Sequence, residues 1–110
     1  SYTPLAAGAV CNTLMGGNLL MVSEGVVAFR ARTPAGLQGR RLAESRIRED
    51  TGCLVVGVQD GPAMHINPGP DHVLEPDHEI ILVGTMQAEE RFLKAHPGTG
   101  IGTRGAQVLG

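Results

Sequence analysis

Apolar positions along the chain change period several times, and each change marks an element. From Leu5 to Leu14 they recur at helical spacing (Leu5, Ala9, Val10, Leu14), behind a Thr3-Pro4 start and ahead of a Gly16-Gly17 stop. This predicts a first helix, Thr3 to about Met15. Ala6, Ala7 and Gly8 on its other sides suit close approach by another helix. Leu19 to Val22 reads as a short strand. Val26 to Arg32 reads as a clearer one, with Val27, Phe29 and Ala31 on one face and Ala28, Arg30 and Arg32 on the other.

Thr33-Pro34-Ala35-Gly36 then breaks the chain. Arg40 to Asp50 predicts a helix with a narrow stripe of Leu42, Ala43 and Ile47. Its i,i+4 pairs are Arg40–Glu44, Glu44–Arg48 and Arg46–Asp50. Gly52 fits the left-handed residue after its end. Leu54 to Val58 is apolar on both faces and predicts a central strand. Ala63 to Asn67 alternates, with Met64 and Ile66 inward and His65 outward. Turns at 68–71 and 76–77 lead to a second buried strand, Glu79 to Val83. Thr85 caps a last helix whose buried face is Ala88, Phe92, Leu93 and Ala95, ended by Pro97.

The expected fold is therefore α/β (α+β), with helices packed on a small mixed β-sheet. Three segments are expected: an apolar helix and linker at 1–20, a domain at 21–97 and a flexible Gly-rich tail at 98–110. The abrupt apolar start suggests a piece of a longer protein.

Composition narrows the function. With 110 residues, three aromatics and no Trp, the core must come from aliphatic side chains. A net charge of −2 argues against a general nucleic-acid binder. The Gly16-Gly17-Asn18 break leaves too short an apolar run for a membrane span. Cys11 and Cys53, in no CxxC pattern, read as reduced thiols of a cytosolic domain.

Candidate chemistry is sparse. Gly100 to Gly105 matches GxGxxG but follows a helix, the wrong context for a dinucleotide loop. His65, His72 and His78 lie near Asp71, Glu75, Asp77 and Glu79, without metal-site spacing; the expectation is no metal, with a divalent-metal sensor as an alternative. Ser45, Thr51 and Cys53 lack a base, so no catalysis is expected. One junction remains. Arg48 ends a helix just before Leu54-Val55, and a cation beside an apolar platform suits a planar anion such as a nucleotide. The alternative is an Arg48 that merely pairs with Glu44 and favours the helix C-terminus.

"LQGRRLAESRIREDTGCLVVGV" and "INPGPDHVLEPDHEIILVGTMQAEERFL" together resemble the TrkA-C, or RCK-C, domain of potassium channel and potassium uptake proteins. The match runs from about Gly25 to Leu93. It rests on Leu37, Gly39, Leu42, Ile47-Arg48, Thr51-Gly52, "VVGV", Pro68, Asp77 and "IILVGT". The resemblance implies a cytoplasmic domain that forms a homodimer, or a higher assembly of dimers. It would sense a small effector and control potassium transport through a membrane pore to which it is attached at the inner face. It also implies that the first helix crosses over from a preceding nucleotide-binding domain. Some relatives bind a cyclic dinucleotide between paired domains, and by position the ligand-binding residues would be Arg48, Cys53, Leu54, Val55 and Pro70, with Leu42 nearby. Such binders can place a polar residue where Leu54 stands. A dimerisation module without ligand is the alternative.

Overall fold

The computed structural model describes Cys11, residues 19–23 and residues 25–101. Five strands form the sheet path: β1 (Leu19–Ser23), β2 (Val26–Arg32), β3 (Leu54–Asp60), β4 (Ala63–Ile66) and β5 (Glu79–Thr85). Their spatial order is β1-β2-β5-β3-β4, and a short β6 (Gly100–Ile101) also pairs with β2. Two α-helices are described, α1 (Ile47–Thr51) and α2 (Met86–Ala95).

The α+β class stands, but every described strand pair is antiparallel, not mixed. The reason lies in β5. The link through α1 brings β3 back in the direction of β2, as a mixed sheet would require. β5 then slots between them and pairs with both, Phe29 opposite Leu82 and Val55 opposite Leu82.

Burial on two faces explains the near-continuous apolar strands. On one face Val27, Phe29, Ala31, Val58, Ile80 and Leu82 pack with Phe92 and Ala88 of α2. On the other, Ala28, Val56 and Ile81 pack with Cys11. A bulge at Val56 lets β3 serve both: Val55 faces Leu82 and Gly57 faces Ile81, leaving Val56 as the extra residue.

The helix expected over Arg40 to Asp50 is broken. Leu42–Glu44 forms one 3-10 turn, and α1 starts only at Ile47. Ser45 causes the interruption locally. Its hydroxyl donates to the Leu42 carbonyl at 2.8 Å and accepts from the Ile47 N–H at 3.3 Å, so it competes with the helical ladder. Arg46 then takes a left-handed conformation, φ 58°. Of the expected ion pairs the structure gives Arg46–Asp50 at 3.5 Å, while Glu44 is held by Arg41 at 2.9 Å.

α2 is capped as expected: the Thr85 hydroxyl accepts from the Ala88 N–H at 3.0 Å. Its buried face is Ala88, Glu89 and Phe92, with Leu93 half-buried and Ala95 exposed. Ile66, expected inward, is exposed. β6 lies within the stretch expected as a tail; the Arg32 N–H donates to the Thr99 carbonyl at 2.8 Å and begins this pairing. Residues 102–110, and the first helix apart from Cys11, lie outside the described residues.

Candidate functional site

The α1–β3 junction is built by one buried hydroxyl. Thr51 Oγ1 donates to the Ile47 carbonyl at 2.6 Å and accepts from the Cys53 N–H at 3.1 Å. Gly52, at φ 85°, supplies the left-handed step between them. Arg91 of α2 braces the turn from outside, donating to the Thr51 carbonyl at 3.3 Å. Thr51→Val keeps the shape but leaves the buried Cys53 N–H without an acceptor. We expect a loss of about 1–3 kcal/mol in urea unfolding, largely restored by Thr51→Ser.

Above this turn lies an open cleft of about 450 Å³. The structure brings all six expected residues to it: Leu42, Arg48, Cys53, Leu54, Val55 and Pro70. They do not contribute equally. Cys53 is fully buried, so it forms floor rather than rim, and burial pushes its thiol above the ordinary range. Leu54 is 43% exposed and offers an apolar surface beside Arg48.

Arg48 makes no ion pair among the described residues. Its expected partner Glu44 is engaged elsewhere: the Arg41 guanidinium and backbone hold that carboxyl below the usual range. Arg41 also reaches Asp71 at 3.2 Å, tying the 42–44 turn to the proline loop.

Ala43, Ser45, Ile47, Glu49 and Pro68 also line the cleft and were not among the expected residues. Pro68 shares the proline turn with Pro70 and could have been read from it. Ser45 and Glu49 reach the cleft because of the break at Ser45-Arg46, which helical spacing conceals. Glu49 matters chemically. It adds an acidic residue to the same lining as Arg48, so the cleft can meet an anion and also accept hydrogen bonds from hydroxyl or amino groups.

The histidines group separately. His65 and His72 have ring centroids 5.3 Å apart, and His72 and His78 lie 6.3 Å apart. No three His, Cys, Asp or Glu side chains among the described residues converge closely enough to hold a metal ion.

The helix break, the junction and the central strands all fall inside one stretch that a family model describes: the TrkA-C domain matches residues 26–96, more than half of the chain. The chain belongs to the TrkA-C domain family. Among solved structures, the GsuK RCK domain is similar at 33% identity and a TM-score of 0.60, over 64% of this chain and 16% of that one. The TrkA-C chain here thus spans a small part of that relative's length. The RCK C domain of the potassium transport protein KtrA matches at 19% identity and a TM-score of 0.61, over 81% and 98% of the two chains. The RCK_C domain of S. agalactiae BusR matches at 20% identity and 0.55, over 61% and 91%. These last two likenesses show the fold. The curated proteins gave no match. No described helix of this TrkA-C chain is long and apolar enough to cross a membrane.

Proposed function

We propose that this TrkA-C domain is a non-catalytic, cytosolic ligand-sensing and dimerisation unit that controls a potassium channel or transporter. The observation that carries the ligand reading is Arg48, without an ion pair among the described residues, lining the cleft together with exposed Leu54 and Glu49. A cation, an apolar platform and a carboxylate within one open cleft suit a nucleotide: phosphate on Arg48, base against Leu54, ribose or amino donors toward Glu49. The solved relatives support this class. The KtrA and BusR domains were solved with c-di-AMP, the latter as a dimer, and the GsuK channel was solved bound to NAD. BusR was also solved on promotor DNA, but a net charge of −2 gives this chain no basic excess for that role.

Dimerisation has its own support. Leu54 at the cleft, Ile66 on β4 and Val73 on the loop after it are large apolar side chains left exposed. A second copy would cover such a surface and close the cleft at a two-fold axis.

A thermal-shift screen of the chain against cyclic dinucleotides, adenine nucleotides, nicotinamide dinucleotides and divalent cations tests the reading. One nucleotide should raise the melting temperature by several degrees, since a ligand at about 100 times its Kd adds about 2.7 kcal/mol. Arg48→Ala should weaken binding about 10-fold or more, the scale of one charged hydrogen bond. No shift with any nucleotide would favour a dimerisation module without ligand. A shift confined to divalent cations and lost in His72→Ala would favour the metal sensor. Sedimentation as a monomer at high concentration would overturn dimerisation.

A further inference from the structure

The three grouped histidines arise from three places: His65 on β4, His72 on the loop after it, His78 at the foot of β5. His78 is the fixed member. Its carbonyl accepts from the Thr33 N–H at 3.2 Å and from the Thr33 hydroxyl at 3.0 Å. His72 belongs to the loop that walls the cleft. Its carbonyl accepts from the Leu42 N–H at 2.7 Å, and the Pro70 carbonyl accepts from the Ala43 N–H at 2.9 Å. Those two contacts join the Pro68–Pro70 wall of the cleft to the Leu42–Ala43 wall.

The group has little negative charge to share. Asp60, at the end of β3, lies 3.3 Å from His78 Nε2, and Glu75 acts on His72 from the same loop. Asp71, next to His72, is engaged by Arg41, and Glu79, next to His78, lies 3.6 Å from Arg30. Asp77 faces the neighbouring hollow with Arg30, Gln59 and Glu79. His72 Nε2 and His78 Nδ1 are buried without a hydrogen-bond partner among the described residues.

We propose that His65, His72 and His78 form a proton-operated latch on the cleft. Neutral, the tilted ring contacts hold the proline loop against the 42–44 turn. Charged, His72 no longer suits its half-buried seat between the other two rings, swings outward and loosens the cleft wall. The regulatory meaning rests on the ligand reading above, but the latch itself is a property of the free chain.

The direction of the pH effect follows from His72. Burial first, then His65 and His78, press its imidazole below the ordinary 6.5, against the pull of Asp60 and Glu75. An opened loop, with an ordinary imidazole, binds the proton more readily. Between 6.5 and the lower closed-state value the open form therefore holds more protons. The closed loop is fully stable above that window and loses stability as pH falls through it. His96, tilted against Phe92 with ring centroids 4.9 Å apart, is also pressed down by burial and titrates in the same direction. Global stability alone therefore cannot report on the latch.

Amide hydrogen exchange on the free chain can. From about pH 7.5 to about pH 5.5, after correction for intrinsic rates, protection at Leu42, Ala43 and Leu74 should fall about 10-fold relative to Phe29 and Leu82. His72→Gln should abolish the pH dependence, and His65→Gln should reduce it. Uniform loss across the sheet, no loss, or an unchanged response in His72→Gln would overturn the latch. No ligand enters the readout, so its failure leaves the nucleotide reading standing, and a cleft that binds no nucleotide leaves the latch standing.

Discussion

Phe92→Ala should lower the unfolding free energy by about 3–5 kcal/mol, the largest effect expected of any single truncation in this domain. Phe92 is fully buried on α2 and meets Phe29 of β2 edge-on, with centroids 5.8 Å apart at 66°. Phe29 is the other phenylalanine of the chain, which has no tryptophan, so few side chains are large enough to collapse into the space. A small domain has about 5–15 kcal/mol of stability in all, so the variant should sit near its folding threshold. The damage should also reach the cleft, because α2 carries the Arg91 that braces Thr51. Urea unfolding followed by far-ultraviolet circular dichroism measures it. A midpoint shift worth less than about 1 kcal/mol would mean that α2 is not fixed by this contact.

The second large effect is expected from adding atoms rather than removing them. A Cβ on Gly57 would stand 2.6 Å from Cys11 Sγ and 3.3 Å from both Ile81 and Met64. Cysteine is too short to swing its sulfur away, and Ile81 is fully buried. Gly57→Ala should therefore cost about 1–3 kcal/mol through overpacking. Cys11→Ala in the same chain should recover part of that cost, a coupling of about 0.5–3 kcal/mol in a double-mutant cycle. Strict additivity would show that Cys11 does not rest on β3 in solution.

Both sites show what periodicity can and cannot convey. "VVGV" and "IILVGT" were legible as buried strands because their composition admits no solvent-facing side. The Gly57 requirement was not legible, since it depends on a sulfur brought from 46 residues away. The antiparallel order was hidden for a similar reason. Nothing local to β2 or β3 tells that β5 will lie between them. Helical spacing across Arg40 to Asp50 misled because Leu42 and Ile47 face inward in two separate turns, whereas the deciding residue is the small Ser45. In the cleft, Arg48 and Leu54 stood out by chemistry. Glu49 did not, because its reach depends on where α1 begins.

One more consequence comes from the outer edge of β2. Gly100 and Ile101 sit opposite Ala31 and Arg30, and Leu19 sits opposite the next residue, Phe29. β6 therefore ends where β1 begins, on successive rungs and in the same direction. Two segments far apart in the chain together make one virtual strand. Topologically the domain is close to a ring. A peptide bond from Ile101 to Leu19, with the chain opened at the exposed Gly61 turn, would preserve every rung of the sheet. The same splice covers β2 along its length, so the outer edge on this side of the sheet is made by the domain's own two flanks.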